Sequence, residues 1–257
     1  MRNELNLPIG SLFAFLLVLT RVSGIFIFVP IPGAKGLADP ARIMLSLGIT
    51  IALFPIWPQM PVSNPDVARL FAWLAMEAGL GLAAGLLVSY ATESLQFGAQ
   101  MVSLQAGLSF ASTIDPMTQA DSTVLMTIAQ LLSGSLFFAF GLDRLVIHAF
   151  VQSLTAYPPA AFDLTPQFAG KILPFGTAIF STGFMIVLPV VAFLLMVDIA
   201  LATLSRLNAQ LQLLTLAFPF KLLSTAALLA WLMMLYPRVF EHMSGRIAAS
   251  LGAIAHR

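Results

Sequence analysis

The stretch from Thr92 to Pro116 reads TESLQFGAQMVSLQAGLSFASTIDP, and it resembles neither a plain membrane span nor a plain loop. Its first half carries four polar residues at steps of three, four and three, which on a helix form one narrow stripe: Glu93, Gln96, Gln100 and Ser103. Apolar side chains cover the other sides of this helix. In so hydrophobic a chain, the stripe indicates a face toward a wet lumen or a neighbouring subunit rather than toward open solvent.

The second half of this stretch changes character at Gly107. From there to Pro116 the residues are mostly small and follow neither a helical nor an alternating period. Asp115 before Pro116 is typical of a turn that closes such a segment. We therefore predict a loop built around one aromatic residue, and its members are Gly107, Leu108, Ser109, Phe110, Ala111, Ser112, Thr113, Ile114, Asp115 and Pro116.

The composition excludes an ordinary soluble domain. Of the 257 residues, 59% are hydrophobic and 9% are charged, whereas about a quarter of the residues of a soluble domain are charged. Mean hydropathy is +0.95. These values predict a polytopic membrane protein, and its segments are interpreted below as those of an all-α fold with kinked helical hairpins. The lack of cysteine excludes disulfides and thiolate chemistry, and a net charge of +1 without a basic run excludes a nucleic-acid partner.

Apolar segments outline the chain from one end to the other. Leu7 to Val29 is long enough for a bilayer, which takes about 20 apolar residues, whereas Ile43 to Trp57 is short and ends at prolines, as expected of a segment packed inside protein. The further predicted segments are Leu70–Tyr90, Val124–Phe140 with a renewed apolar pattern to Val151, and a hairpin of Pro174–Leu207 and Leu211–Tyr236 with kinks at Pro189 and Pro219. Loops are expected at Pro30–Arg42, Gln59–Asp66 and Tyr157–Pro166, and a polar tail is expected from Arg238 to Arg257.

Four charged residues interrupt the apolar segments: Arg21, Glu77, Asp198 and Lys221. An arginine at a helix centre costs about 2.5–3.5 kcal/mol on insertion, so Arg21 is expected to face protein, as a structural salt bridge or in a transport role. Asp198 and Lys221 lie at nearly equal separations from the expected turn at 208–210, so an antiparallel hairpin brings them to one depth. An ion pair within the hairpin and pairing of each charge with another subunit are the alternatives. The intramembrane carboxylates also remain candidate proton carriers.

A small-residue pattern follows Glu77. Gly81 and Gly85 are spaced as G-x-x-x-G, and Gly79 adds to a smooth face on which another helix backbone can approach closely. A chance occurrence in a glycine-rich chain is the alternative.

Motifs of catalysis are absent from the sequence. It contains no Walker-type loop, H-E-x-x-H or G-x-S-x-G, and its three histidines lie far apart. Ser109 and Ser112 have no credible base nearby in the sequence. We predict no enzyme activity, no cofactor and no metal site.

The segment GLSFASTIDP, preceded by Gln105 and the polar-striped helix, resembles the central segment of the FliR family, the flagellar branch of the type III export gate. The hydrophobic segments on both sides fall where that family has them, so the resemblance covers essentially the whole chain. One departure concerns Thr113, because several family members carry a second aromatic residue there. If aromatic bulk seals the family's pore, this chain seals it with fewer rings or with partner side chains.

The resemblance implies an all-helical subunit of a protein-export channel in the bacterial inner membrane, at the flagellar basal body. Its substrates would be unfolded flagellar proteins, and its partners would be FliP-like and FliQ-like gate subunits, FlhB, FlhA and membrane lipid. The family looks like a fusion, which here implies a FliP-like part at 1–170, with the polar helix and plug loop at 92–122, and a FliQ-like hairpin and tail at 171–257. It also implies that much of the assembly lies at or above the outer bilayer surface.

The mechanism that we predict is a constriction. Residues Gly107 to Pro116 would project into the lumen with Leu108, Phe110 and Ile114 as an apolar stopper that excludes water and ions until a chain enters. A core aromatic role for Phe110 is the alternative at this position. For the whole chain, the alternatives are an ion or small-molecule secondary transporter, for which no internal repeat is visible, and a purely scaffolding subunit.

Overall fold

The computed structural model describes residues 9–29, 38–57, 67–107, 124–158, 166–207 and 213–255. Within these ranges every regular element is a helix and no strand occurs, which confirms the all-α class. The elements are α1 (Ile9–Phe28), α2 (Ala38–Ala52), a 3₁₀ turn (Phe54–Ile56), α3 (Val67–Gln105), α4 (Val124–Ala139), α5 (Leu142–Ala156), α6 (Pro166–Leu207) and α7 (Leu213–Ala255).

Four of the described helices are long and apolar enough to cross a membrane, by length and composition. The candidate ranges are Gly10–Phe28, Val67–Gln105, Ile172–Arg206 and Pro219–Ser250. Helices α4 and α5 meet at a bend of 61° and add a fifth candidate if they are taken as one broken span. The bend falls at Gly141, whose φ of 67° is a conformation that glycine adopts without strain. The chain is therefore a multi-pass membrane protein.

Three helices are much longer than a bilayer requires. Helices α3, α6 and α7 contain 39, 42 and 43 residues. At a rise of about 1.5 Å per residue, they are about 58–65 Å long. The hydrocarbon layer of a membrane is only about 30 Å thick. Each of these helices therefore extends beyond a hydrocarbon layer or lies strongly tilted within it.

The described residues form two compact units, and α3, α6 and α7 contribute to both. The first unit comprises described residues within 1–90, 141–176 and 245–257. In this unit α1 and α3 approach closely: a Cβ atom added at Gly81 would collide with the carbonyl oxygen of Arg21, and one added at Gly85 would lie 3.0 Å from the carbonyl oxygen of Ile25. The predicted small-residue face of α3 is thus a packing face, and its partner is α1.

The second unit comprises described residues within 91–140 and 177–244. An apolar core joins its helices, and its members are Leu95, Ala99, Val102, Ala106, Leu125, Ala129, Val187, Val190, Leu194, Leu229, Leu232 and Tyr236. Close backbone approach recurs here, since a Cβ atom added at Gly183 of α6 would collide with the carbonyl oxygen of Ser94 of α3.

Several predicted boundaries are wrong. The loop expected to reach Arg42 ends earlier, because α2 begins at Ala38 and accommodates Pro40 in its first turn, where a proline fits a helix. The segments expected as a span ending at Tyr90 and a separate polar helix are one continuous helix, α3.

The C-terminal hairpin is also longer than predicted. Helix α6 begins eight residues before Pro174, at Pro166, a residue suited to the first helical position. Helix α7 includes Pro237 and continues to Ala255, so most of the expected polar tail is helical. Phe240, Met243 and Ile247 are buried at helical spacing along this part of α7, and their burial explains why the helix continues. The expected turn at 208–210 lies outside the described residues.

Candidate functional site

The predicted polar stripe lies on the C-terminal half of α3 and divides into two edges. Glu93 and Gln100 are exposed, Gln96 is half-buried and Ser103 is buried, at 2% exposure. A helix turns 100° per residue, so residues seven apart nearly coincide in direction: 93 with 100, and 96 with 103. One edge of the stripe therefore faces outward, and the other turns toward the protein interior.

Helix α6 covers one side of α3, next to the exposed edge of the stripe. Ser94 and Gly98 of α3 approach Gly183 of α6, where a Cβ atom added at Gly98 would lie 3.0 Å from the Gly183 carbonyl oxygen. The rings of Phe97 and Phe180 meet edge to face, with centroids 5.1 Å apart. The exposed edge of the stripe lies beside this contact, and Leu104 extends it at 54% exposure. We call Glu93, Gln100 and Leu104 the exposed edge of α3.

Helix α3 ends as predicted immediately before the Gly107 segment. The amide of Ala106 donates to the carbonyl of Val102 at 2.8 Å, and the amide of Gly107 donates to the carbonyl of Leu104 at 3.1 Å. Gly107 has a φ of 79°, as is common for the glycine that follows a helix. The remaining predicted plug residues, 108–116, lie outside the described residues.

Asp198 of α6 and Lys221 of α7 form an ion pair within the second unit, with Nζ 2.5 Å from Oδ1. The geometry is that of a pair within the hairpin, one of the two predicted alternatives. Neither side chain is deeply buried, however: Lys221 is 17% and Asp198 is 38% exposed. Gln105 joins the pair, since its Nε2 donates to Oδ2 of Asp198 at 3.1 Å and its carbonyl accepts from Lys221 Nζ at 3.5 Å. We call these three residues the α3-end cluster.

Arg21 and Glu77 form a second ion pair, fully buried in the first unit. Nε and Nη2 of Arg21 donate to the two carboxylate oxygens of Glu77 at 2.5 and 3.0 Å. The remaining donors of the guanidinium bind the end of α5, where Nη1 donates to the carbonyl of Ser153 at 3.0 Å and Nη2 to the carbonyl of Tyr157 at 2.9 Å. Of the two predicted roles for Arg21, the structural salt bridge matches this geometry, because every partner is a fixed protein group.

Metal-binding geometry is not found among the described residues, where no group of three or more His, Cys, Asp or Glu side chains could hold an ion. The charged side chains at the two sites form ion pairs instead. What the described geometry offers is therefore a face and two ion-paired clusters rather than a reaction centre.

Comparison with known proteins identifies the family. The model of a family described as bacterial export proteins, family 1, matches residues 12–247. A flagellar biosynthetic protein FliR from Escherichia coli (strain K12) is 31% identical over 231 residues, which cover 89% of this chain and 87% of that protein. The chain belongs to the FliR family of bacterial export proteins.

More distant FliR proteins match over similar lengths. The one from Pectobacterium carotovorum is 26% identical over 80% of this chain and 79% of its own length. The one from Bacillus subtilis is 26% identical over 81% of this chain and 82% of its own length. The resemblance inferred from the GLSFASTIDP segment is thus confirmed, and this FliR-family chain is a component of the flagellar export apparatus.

Membership of the FliR family also bears on the alternatives. The family is one of export proteins, and its members compared above are named for flagellar biosynthesis rather than for small-molecule transport or catalysis. The chain is accordingly a membrane component of an export apparatus.

Sequence reasoning missed several members of the two clusters in this FliR-family chain. Ser153 and Tyr157 contribute backbone carbonyls, which no side-chain pattern reveals. The sequence predicts no partner for Gln105, yet this residue joins the hairpin ion pair to α3. The position of Gln105, close before the glycine that ends α3, could have indicated this role, because a polar side chain there is well placed to bind charges near the helix terminus.

Proposed function

We propose that this chain is a structural and gating subunit of the flagellar type III protein-export channel, and that it passes unfolded flagellar proteins across the bacterial inner membrane. In this proposal the exposed edge of α3 faces the aqueous pathway. The partners are FliP-like and FliQ-like gate subunits, FlhB and FlhA, with residues 1–170 as the FliP-like part and 171–257 as the FliQ-like part. The observation that carries the proposal is a pair of exposed polar residues, Glu93 and Gln100, on a mainly apolar helix.

The exposure of Glu93 and Gln100 indicates that these side chains face water or protein rather than lipid. A carboxylate or an amide turned toward hydrocarbon loses hydrogen bonds to water that lipid cannot replace, so polar side chains in membrane segments face protein or water-filled cavities. In the isolated chain, Glu93 and Gln100 are exposed. We therefore expect water or a partner subunit at their exposed surface in the assembly.

The length of the helices supports an assembly that extends out of the membrane. About half of α3, α6 or α7 is enough to cross a hydrocarbon layer of about 30 Å. The remaining turns leave the hydrocarbon layer, and exposed apolar side chains of α6 and α7, such as Met185, Leu195 and Met234, suit contact with other subunits as well as with lipid. A multi-subunit gate supplies such neighbours.

The gating element in this proposal is the segment from Gly107 to Pro116. Its composition supports the assignment: Leu108, Phe110 and Ile114 supply apolar bulk, while Ser109, Ala111 and Ser112 let the segment pack and move. An apolar constriction stops ions by dewetting and yields to an entering chain. Thr113 takes the place of a second ring, so this chain relies more on Phe110 or on partner side chains.

Secretion by gates with substitutions on the exposed edge of α3 tests whether this edge faces the aqueous pathway. We expect the double variant Glu93→Leu with Gln100→Leu to assemble normally and to lower secretion of flagellar proteins about tenfold, which corresponds to about 1.4 kcal/mol in a rate barrier. Thr127→Leu on α4 is the matched control, since Thr127 is an exposed polar residue of the same unit. Unchanged secretion by the double variant would refute the proposal.

Membrane leakage tests the gating element. Cells that carry Phe110→Ala or a deletion of residues 107–116 should leak ions and lose motility, because the apolar constriction is weakened or removed. An ion-tight membrane in the deletion strain would contradict the assignment and favour a core role for Phe110.

A further inference from the structure

The α3-end cluster joins three helices of the second unit at one point. Asp198 comes from α6, Lys221 from α7, and Gln105 is the last helical residue of α3. Asp198 uses both carboxylate oxygens, one for each partner. The cluster therefore connects the hairpin of α6 and α7 to the place where α3 ends.

Lys221 also acts directly on the helix terminus. The last carbonyl groups of a helix have no partner within it and carry a partial negative charge. The ammonium of Lys221 lies 3.5 Å from the carbonyl oxygen of Gln105. A cation is stabilising at this position, and here it is delivered by a different helix.

We propose that Lys221 is a positioning residue for export, which acts through Asp198 and Gln105 to hold the last turn of α3 against the α6–α7 hairpin. Releasing this turn makes the resting gate permeable. The inference rests on the proposed function, because it takes the export pathway to run along α3.

The partial exposure of the cluster suits a contact that breaks and forms again. The Arg21–Glu77 pair is 0% and 1% exposed, whereas Lys221 and Asp198 are 17% and 38% exposed. Partly exposed ion pairs contribute little to folding stability, because water solvates the separated charges. The buried residues Val102, Ala106 and Leu194 belong to the apolar core of this unit, so the unit keeps an apolar core when the cluster is broken.

The decisive variant is Gln105→Leu. It removes the hydrogen bond from α3 to Asp198 but leaves the Lys221–Asp198 ion pair whole, and leucine suits a helix. Loss of a hydrogen bond to a charged group shifts an equilibrium by about tenfold, here the equilibrium between the attached and the detached last turn of α3. In cells with the complete export gate, we expect propidium entry to rise about tenfold, with unchanged amounts of assembled gate.

Gln130→Leu on α4 is the matched control. Gln130 is a half-buried glutamine of the same unit, and no hydrogen bond of its side chain is found among the described residues. Cells with Lys221→Met should take up propidium as Gln105→Leu cells do. Cells with Lys221→Arg should exclude the dye, because arginine keeps a cation beside Asp198.

Three outcomes separate the inference from its alternatives. If Gln105→Leu cells exclude propidium as the parent cells do, with normal amounts of gate, the positioning role is refuted, and the pair serves the hairpin alone. If Gln105→Leu cells exclude propidium while the double variant of Glu93 and Gln100 is defective in secretion, only the positioning role is refuted. Unimpaired secretion in that double variant instead refutes the proposed function itself.

Discussion

Arg21 of α1 and Glu77 of α3 form a two-pronged ion pair, with Nε to Oε2 at 2.5 Å and Nη2 to Oε1 at 3.0 Å. Both side chains are buried, and Arg21 also binds carbonyls at the end of α5. The pair lies next to the point where Gly81 lets α1 and α3 touch. One guanidinium thus ties three helices of the first unit together.

Removal of either member of this pair leaves a buried charge without its partner. Arg21→Met and Glu77→Gln should each lower stability by about 3–5 kcal/mol, whereas Arg21→Met combined with Glu77→Leu should cost less than the sum of the single changes. The measurement is the fraction of detergent-extracted chain that stays monodisperse after heating. Strictly additive losses would contradict the coupling that this geometry implies.

The contact between α1 and α3 predicts a contrast between two glycines. Gly81→Ala should reduce the amount of chain in the membrane, because the new Cβ atom collides with the Arg21 carbonyl, a backbone atom that cannot move aside cheaply. Gly48→Ala on α2 is the control, since nothing lies within 4 Å of its Cβ position. Alanine should stabilise that helix by up to about 1 kcal/mol. Equal amounts of the two variants in the membrane would show that the close contact between α1 and α3 at Gly81 does not stabilise the chain.

Neighbouring leucines of α6 test the core of the second unit. Leu194 is fully buried and Leu195 is 53% exposed. Leu194→Ala should cost about 2–5 kcal/mol, because it leaves a cavity in a packed core. Leu195→Ala removes the same atoms from a surface position and should change thermal stability in detergent much less. A larger loss for Leu195→Ala would contradict the observed packing.

Much of the fold followed from the sequence for simple reasons. Long apolar segments can only be helices in a membrane, because no water is there to bind backbone groups. A lone arginine in such a segment needs a protein partner, and small residues at a spacing of four permit close packing. The Arg21–Glu77 pair and the Gly81 contact agree with both arguments.

What the sequence could not supply were helix ends and distant partners. The predicted hairpin ends at Tyr236, but α7 continues through Pro237, because burial of Phe240 and Met243 on the same face outweighs the cost of a proline inside a helix. The carbonyls of Ser153 and Tyr157 meet Arg21 from more than a hundred positions away in the chain. Such contacts depend on tertiary packing, which periodicity does not encode.

For the candidate site, the sequence predicts which side of α3 carries the polar residues but not which of them are exposed. A spacing of three, four and three places four residues on one side, yet that side is wide enough for Gln96 and Ser103 to turn inward while Glu93 and Gln100 stay exposed. The loop prediction for residues 108–116 stays a prediction.

The most direct test of the account is site-specific photo-crosslinking to a flagellar export substrate that is stalled in transit. A photoreactive residue at Gln100 should capture the substrate, because the account places the exposed edge of α3 in the export pathway. The same residue at Met234, which is 78% exposed on α7, should not capture it. Capture from Met234 but not from Gln100 would contradict the account.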